Sequence, residues 1–367
     1  MSIIDKALFY RYNPHMISVS RNYFIKKRNN KNLLNVAVIG CGGGGLMHMS
    51  HYLWHKKTLL KSVLDIDKTR FQDIKSRFPF AYNDINKTNN LDDILLDEDI
   101  DIVSIATPDH THADYAIKAL EAGKNVLVEK PMCTSLSDAK KIIMASKDSK
   151  KRFSVFQQMR FVKRNIQVKS MIDNGSIGDV FYIQTSYIHD MRDRAFEFRQ
   201  WRKDPVNFQH PIFGGQHNID LLRWLSGDIT EVCTKSANKG FPDLPVDDTY
   251  TIQLKLENGG IGNIVTCFAP IVSREYHPLK IYGTKGTVHE DEIILKKENV
   301  IKTNTLKDSL YKGVPQFRSQ ISAFVDSVIN EDESKLVSAE DGAKTVSVCL
   351  AAIESLKTGK PCLVEKL

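Results

Sequence analysis

The chain has 367 residues; 42% are hydrophobic, 26% are charged, and the formal net charge is +7. This length allows two domains with separate cores, and the composition is that of an ordinary globular protein. No apolar run reaches the roughly 18 residues of a membrane span, so we expect no membrane association. The six cysteines are scattered without a C-x-x-C pair, which favours reduced thiols in a cytoplasmic protein over a disulfide framework or a metal site.

Residues 1–32 form a basic N-terminal extension with a single acid, Asp5. We interpret it as an arm that packs on the body or on a neighbouring subunit. An organelle transit peptide is the alternative, although Asp5 and the aromatic residues fit it poorly. Its basic residues form no recognisable nucleic-acid-binding motif, so we expect no nucleic-acid partner. They are Lys6, Arg11, Arg21, Lys26, Lys27, Arg28 and Lys31.

A glycine run follows the first predicted strand, Val36–Ile39, and precedes a helical pattern. In this context the run matches the G-x-G-x-x-G pattern of dinucleotide-binding proteins. Gly40 would allow the tight turn, Gly42 would let backbone amides approach a pyrophosphate, and Gly45 would let the helix pack closely. A flexible loop is the alternative. The run that we expect to bind the cofactor is Gly40-Cys41-Gly42-Gly43-Gly44-Gly45.

Asp65 ends the second predicted strand, Leu60–Leu64, twenty residues after Gly45. A carboxylate at this place can accept hydrogen bonds from the adenosine ribose hydroxyls. It would also repel a 2′-phosphate, which favours NAD over NADP. Lys68 and Arg70 are close enough in sequence that NADP remains possible.

Further strands and helices alternate up to residue 157, which indicates a parallel, doubly wound sheet. Ser135 resembles the N-cap of one of these helices, with Asp138 three residues on. The predicted strands are Asp101–Ala106, Asn125–Glu129 and Phe153–Gln157, and the predicted helices are His112–Glu121 and Ala139–Ser146.

Polar residues follow two of these strands at the sheet edge where ligands bind in open α/β folds. Thr107, Pro108 and His112 come after the first, and Glu129 and Lys130 end the second. A lysine there can donate a hydrogen bond to a substrate oxygen, and desolvation would lower its pKa. For Glu129 an ion pair with an arginine is the alternative.

In the second half of the chain, apolar and polar residues alternate with the period of a β-strand, which predicts a mostly antiparallel sheet. Glu257-Asn258-Gly259-Gly260 is a strong hairpin signal. A late helix follows Ser338 and ends at Gly359. We therefore predict a basic extension (1–32), a dinucleotide-binding domain (33–156) and a substrate-binding α+β domain (157–367). The predicted strands are Val180–His189, Thr249–Leu256, Ile261–Cys267, Leu279–Tyr282 and Gly286–Val288.

A third group of polar residues lies at the start of a predicted helix in the second domain. Gln216, His217 and Asp220 belong to it, and the last two share a helix face. A histidine has a pKa near neutrality and could accept the substrate proton; a packed core histidine is the alternative. Arginines before the helix could bind an anionic substrate or form a solvated surface. They are Arg160, Arg164, Arg192, Arg194, Arg199 and Arg202, with Lys163 among them.

Taken together, these motifs resemble the Gfo/Idh/MocA oxidoreductases (glucose–fructose oxidoreductase, inositol dehydrogenase and rhizopine-catabolism proteins) over residues 33–365. The run that ends in Glu129-Lys130-Pro131 is the most specific. The others are Ile39 to His48, Ala106 to His112, Gly175-Ser176-Ile177-Gly178, Trp201-Arg202, His217 to Asp220 and Gly283-Thr284-Lys285-Gly286.

The resemblance implies a Rossmann domain carrying NAD or NADP and an α/β domain whose open sheet faces the substrate on one side. The other side commonly mediates oligomers, so we expect a homodimer or homotetramer. Lys130 falls on the lysine that positions the reacting oxygen, and His217 on the histidine of the substrate domain. Phe213 stands where many relatives have an aspartate four residues before that histidine.

We therefore expect reversible hydride transfer between nicotinamide and a secondary hydroxyl of a sugar-like substrate, with Lys130 and His217 as catalytic residues. Two alternatives remain open: a cofactor-binding sensor without turnover, and a sugar lyase or glycosidase with internal redox. The expected substrate contacts are Arg160, Trp201, Arg202, Gln216, His217 and Asp220.

Overall fold

The computed structural model describes residues 32–190, 211–240, 246–270, 277–297, 300–305 and 315–367. These residues form two compact units. One lies within Met1–Phe156 and Gly313–Ala339, the other within Gln157–Lys312 and Glu340–Leu367. Nearly all of the basic extension, Trp201, Arg202 and the neighbouring Arg192, Arg194 and Arg199 lie outside the described residues.

The strands are β1 (Leu34–Ile39), β2 (Thr58–Leu64), β3 (Asn86–Thr88), β4 (Ile102–Ile105), β5 (Asn125–Glu129), β6 (Phe153–Phe156), β7 (Val180–Ile188), β8 (Ile229–Ala237), β9 (Thr249–Leu256), β10 (Ile261–Cys267), β11 (Leu279–Gly283), β12 (Gly286–His289), β13 (Glu292–Lys297), β14 (Val300–Thr305) and β15 (Cys362–Leu363). The helices are α1 (Gly43–Trp54), α2 (Phe71–Arg77), α3 (Asp92–Leu95), α4 (His112–Glu121), α5 (Leu136–Ser149), α6 (Lys163–Asp173), α7 (Pro211–Gly214), α8 (Gln216–Ser226), α9 (Pro315–Asn330) and α10 (Ala339–Thr358).

The first unit contains a six-stranded sheet in the order β3-β2-β1-β4-β5-β6. Every pair in it is parallel. The predicted doubly wound sheet is therefore confirmed. The strand order reverses between β1 and β4, which is where dinucleotides bind in such sheets.

Helix α9 belongs to the first unit, although the sequence analysis assigned this part of the chain to the second domain. Ile321, Phe324 and Val325 of α9 are fully buried in the core cluster that also contains Met49 and Leu53 of α1. Burial of these apolar side chains fixes the helix on the first unit.

The second unit contains a nine-stranded sheet in the order β14-β13-β12-β11-β7-β10-β9-β8-β15. Its pairs are antiparallel except β7 with β10, so the predicted mostly antiparallel sheet is confirmed. In β9 the residues from Tyr250 to Leu256 alternate between buried and exposed, because one face of the sheet is covered. Helix α8 packs on that covered face against β7. The predicted hairpin joins β9 to β10, with Gly259 at φ +86°.

Within the described residues, no helix is long and apolar enough to cross a membrane. The described side chains also contain no group of three His, Cys, Asp or Glu residues that could hold a metal ion.

Candidate active site

The glycine loop after β1 is built so that two of its glycines cannot be replaced. Gly40 has φ +94°, and a Cβ there would lie 2.4 Å from the carbonyl oxygen of Ala106. A Cβ on Gly45 would lie 1.7 Å from the carbonyl oxygen of Gly40. The loop therefore closes tightly on itself and on the end of β4, because neither position leaves room for a side chain.

Gly42 and Gly43 face open space instead. A Cβ on either residue would meet no protein atom within 4 Å. Gly42 is the N-cap of the twelve-residue helix α1, and its carbonyl accepts a hydrogen bond from the Leu46 amide at 2.8 Å. The amides of the first helical turn lack intrahelical acceptors and carry the positive end of the helix dipole. This arrangement fits a pyrophosphate, which needs both space and donors.

Asp65 is fixed beside this loop. One carboxylate oxygen accepts the Cys41 amide at 2.7 Å, and the other accepts the Asp67 amide at 2.9 Å. Each oxygen can accept a further hydrogen bond, as binding of ribose hydroxyls would require. Arg70, the nearby cation, lies 3.6 Å from both Asp67 and Asp73. Its charge is thus shared with two carboxylates, which lessens its attraction for a 2′-phosphate.

His112 ties two loops of the sheet edge together. Its Nδ1 lies 2.6 Å from the carbonyl oxygen of Pro131, and its Nε2 lies 2.9 Å from that of Thr107. The Thr111 hydroxyl donates to the Thr107 hydroxyl at 2.7 Å. Because both ring nitrogens face backbone carbonyls, His112 supports the two loops, and its contact with the cofactor stays a prediction. Thr107 and Pro108 are half-buried, and their contact with the cofactor remains a prediction.

Glu129 joins Lys130 to a buried polar chain. Its Oε1 lies 3.2 Å from His48 Nε2, and its Oε2 accepts the backbone amide of Lys130 at 3.1 Å. His48 is fully buried, and its Nδ1 lies 2.7 Å from the Ser104 hydroxyl. Burial raises the pKa of Glu129, but the hydrogen bond and charge of His48 outweigh burial and hold the pKa below its usual value. Glu129 thus stays a carboxylate and anchors the backbone that carries Lys130.

The alternative for Glu129 was an ion pair with an arginine. Among the described contacts its charged partner is instead His48. The sequence analysis included His48 only as the last residue of the motif Ile39 to His48 and gave it no role, because it lies 81 positions before Glu129. Lys130 itself is half-buried and precedes a cis peptide bond to Pro131.

In the second unit, two glycines bring the start of α8 close to β10. A Cβ on Gly214 would lie 3.3 Å from the ring of Phe268, and one on Gly215 would lie 2.5 Å from the Thr266 hydroxyl. His217 lies two residues after Gly215 and is 5% exposed. Phe213, which occupies the family aspartate position, is buried.

Aromatic rings surround the covered face of the sheet next to His217. The ring centroid of Tyr187 lies 6.1 Å from that of His217 and 5.1 Å from that of His277. Asn218 donates to the Thr185 hydroxyl at 2.5 Å, and its Oδ1 lies 3.0 Å from His277 Nδ1. Sequence patterns did not indicate Tyr187 or His277, because Tyr187 lies in β7, His277 lies just before β11, and no short motif joins them.

Arg160 and Asp220, both predicted to bind substrate, bind each other. Arg160 donates to both Asp220 oxygens at 2.8 and 2.7 Å, and it lies 2.6 Å from Asp341. Thr345 donates to Asp220 at 3.2 Å. Burial lowers the pKa of Arg160, but the two carboxylates outweigh it and raise the pKa above its usual value. These bonds hold α8 in place, and the substrate contacts of Arg160 and Asp220 stay predictions.

Two family models match the chain. Residues 34–157 match the oxidoreductase family model described as an NAD-binding Rossmann fold, and residues 169–364 match that family's C-terminal alpha/beta domain. Together they span most of the chain.

Curated relatives extend over most of the chain at low identity. The chain is 27% identical to levoglucosan dehydrogenase of Pseudarthrobacter phenanthrenivorans over 293 residues, which is 70% of this chain and 73% of that protein. It is 22% identical to myo-inositol 2-dehydrogenase of Thermotoga maritima over 350 residues, 91% of this chain and 99% of that one.

Solved structures share the fold. Levoglucosan dehydrogenase in complex with NADH and L-sorbose superposes with a TM-score of 0.78 at 22% identity, covering 91% of this chain and 99% of that chain. The scyllo-inositol dehydrogenase of Lactobacillus casei, with NAD(H) and scyllo-inositol bound, gives 0.74 at 21% identity and covers 90% and 99%. At these identities the likeness shows the fold alone.

Proposed function

Since the chain belongs to the Gfo/Idh/MocA oxidoreductase family, with its NAD-binding Rossmann fold and C-terminal alpha/beta domain, we propose that it is an NAD-dependent dehydrogenase of sugar-like substrates. The reaction is reversible hydride transfer at a secondary hydroxyl or keto group of a sugar, sugar acid, cyclitol or nucleotide sugar. The names of the two dehydrogenase relatives, which act on levoglucosan and myo-inositol, support this substrate class.

One observation carries the proposal: a phosphate cradle and a lysine share one edge of one sheet. The glycine loop follows β1 and Lys130 follows β5, with β4 between them. The strands are parallel, so their carboxyl ends lie on the same edge. A cofactor whose pyrophosphate binds at Gly42 and whose ribose binds at Asp65 would extend its nicotinamide end toward the loops after β4 and β5. Thr107, Pro108, Glu129 and Lys130 are the proposed contacts there.

The cofactor, when bound, supplies the hydride acceptor. The Lys130 ammonium donates a hydrogen bond to the carbinol oxygen and stabilises the negative charge that develops on it. His217 takes the hydroxyl proton. Phe213 cannot hydrogen-bond the imidazole, and Asp220 is engaged with Arg160. We therefore do not propose a relay to His217 from an aspartate four residues earlier, since that position is Phe213. Trp201, Arg202 and Gln216 remain proposed substrate contacts.

NAD, rather than NADP, is the proposed cofactor in the cell. The Asp65 carboxylate is fixed by two backbone amides and cannot swing away from a 2′-phosphate without losing both bonds. Repulsion between these two anions disfavours NADP.

The stoichiometry of cofactor reduction tests the proposal. Purified protein is incubated with NAD or NADP and a panel of sugars, cyclitols and sugar acids, and the absorbance of reduced nicotinamide is followed. The expected result is one reduced cofactor per substrate oxidised, absent in Lys130→Ala. A product formed without net reduced cofactor supports a lyase or glycosidase with internal redox. Tight NAD binding without turnover on any substrate supports a sensor. The observation that favours a sensor is Phe213 at the position where many relatives have an aspartate.

The open face of the second sheet is the proposed oligomer interface, in a homodimer or homotetramer. Tyr182 and Tyr282 lie side by side on it, with ring centroids 5.7 Å apart. Ile261, which pairs with Tyr182, is 56% exposed. Exposed apolar side chains grouped on one face are typical of interaction surfaces. Light scattering should give a multiple of the chain mass, and Ile261→Asp should shift it toward the monomer.

The cytoplasm is the proposed compartment. All six cysteines are free in the structure, and Cys41, Cys133 and Cys349 are buried. Burial raises the pKa of Cys133 to about 12, so this thiol is unreactive at neutral pH. Buried reduced thiols are usual in a reducing compartment.

A further inference from the structure

Gln216 carries a buried amide with unused hydrogen-bonding capacity. Its side chain is 1% exposed, and among the residues that the structure describes neither Oε1 nor Nε2 has a hydrogen-bond partner. A buried amide without partners costs free energy, because it has lost its bonds to water and gained none in return. Such a group is retained where a ligand completes it.

Neighbouring polar side chains show the normal pattern. Asn218, two residues later on the same helix, is fully buried and bonds to Thr185, the Ser186 carbonyl and His277. In the first unit the equally buried Gln320 donates from Nε2 to the Val155 carbonyl at 3.0 Å. The Oε1 of Gln320 also lacks a partner, so Gln216 differs from the other described buried amides in that both of its polar atoms are unpaired.

The position of Gln216 links it to the chemistry. It is the first residue of α8 and directly precedes His217. The close approach of Gly215 to Thr266 fixes the backbone at this point. Consecutive residues of a helix point about 100° apart around its axis, so within this inference a ring-sized ligand at His217 would reach the Gln216 amide through substituents on neighbouring carbons.

We propose that Gln216 is a specificity-determining residue that binds two adjacent hydroxyl groups of the substrate. This inference rests on the proposed dehydrogenase function. The amide has one acceptor oxygen and a donor nitrogen, so Nε2 donates to one hydroxyl while Oε1 accepts from its neighbour. A carboxylate or phosphate can only accept, and it would leave Oε1 unpaired. The substrate class is thus a neutral ring with a vicinal diol, at or beside the carbon that is oxidised.

Gln216→Met tests this, because methionine keeps the length of the side chain and removes both polar atoms. The midpoint of thermal unfolding of the cofactor-free protein should rise, since an unpaired amide is no longer buried. The kcat/KM for the best polyol of the panel should fall at least about tenfold, with unchanged NAD affinity. Gln320→Met is the matched control. It removes a bond to Val155 and should lower the midpoint while leaving kcat/KM unchanged.

Substrate analogues supply the second readout. Myo-inositol, levoglucosan and analogues lacking the hydroxyl next to the reacting carbon are compared in both proteins. The wild type should discriminate strongly against the deoxy analogue, and Gln216→Met should lose that discrimination. A variant that unfolds at lower temperature yet keeps the wild-type kcat/KM and discrimination overturns the inference alone. A wild type that binds NAD but oxidises no member of the panel overturns the proposed function, and the inference with it.

Discussion

Replacing Gly42 by alanine should weaken NAD binding without destabilising the protein. The backbone of Gly42 lies at φ −73° and ψ −168°, which alanine adopts freely. Its Cβ would meet no protein atom within 4 Å. The folded state therefore accommodates the methyl group, and the loss of glycine freedom in the unfolded chain should add about 0.4–1 kcal/mol of stability.

The same methyl group should hold the pyrophosphate away from the backbone amides of the loop. A hydrogen bond to a charged group contributes about 1.5–3 kcal/mol. Loss of one such bond raises the Kd of NAD by roughly 10- to 150-fold. Titration calorimetry measures the Kd, and thermal unfolding without cofactor measures stability.

Two neighbouring glycines provide the controls. A Cβ on Gly44 would lie 3.7 Å from the Cβ of Ala106 and 3.9 Å from Glu129 Oε1, so Gly44→Ala should keep the stability and raise the Kd of NAD less than Gly42→Ala, because its methyl group points at protein atoms. A Cβ on Gly45 would collide with the Gly40 carbonyl, so Gly45→Ala should lose stability by about 1–3 kcal/mol or more and lose binding as well. Wild-type NAD affinity in Gly42→Ala would refute the assignment of this loop to the pyrophosphate.

Three further substitutions test other parts of the site. Lys130→Ala should lower kcat by about 10²- to 10⁴-fold with little change in the Kd of NAD; an unchanged kcat would show that Lys130 is not catalytic. Asp65→Asn removes the charge but keeps the shape, so the ratio of NADP to NAD affinity should rise about tenfold, and a constant ratio would reject the cofactor assignment. Asp341→Asn should cost roughly 2 kcal/mol at pH 7, because Arg160 and Arg223 lose a charged acceptor. Burial raises the pKa of Asp341, but these two arginines outweigh burial and lower the pKa below its usual value. The stabilisation is therefore present above about pH 4, and it is lost as the pH falls through the pKa that Asp341 has in the folded protein. The difference between Asp341→Asn and the wild type should narrow in denaturation curves below about pH 4; a constant difference would contradict this.

Local features of the sequence were sufficient for most of the first unit. The glycine loop, Asp65 and the end of β5 each follow a buried strand, and strand ends in a parallel sheet meet at one edge. The N-cap at Ser135 is confirmed, with the Asp138 amide donating to its hydroxyl at 3.1 Å. These features depend on residues a few positions apart, which explains why sequence patterns report them.

Pairings between distant residues could not be predicted in the same way. Asp220 lies 60 positions from Arg160, and both types of residue are equally common on solvated surfaces. Only the fold reveals that these two side chains bind and neutralise each other. Tyr187 and His277 likewise come together through the sheet, and α9 joins the first unit through a core that no local motif encodes.

Isotope transfer tests hydride transfer, the central claim, most directly. The panel substrate that reduces NAD is prepared with deuterium on its ring carbons and incubated with the protein and NAD. The reduced cofactor is then analysed by NMR and mass spectrometry. Hydride transfer predicts one deuterium at the nicotinamide C4 position of each NADH formed, with the rate of transfer lowered about 10²- to 10⁴-fold in Lys130→Ala. NADH without deuterium, or a labelled product that forms while NAD is not reduced, would contradict it.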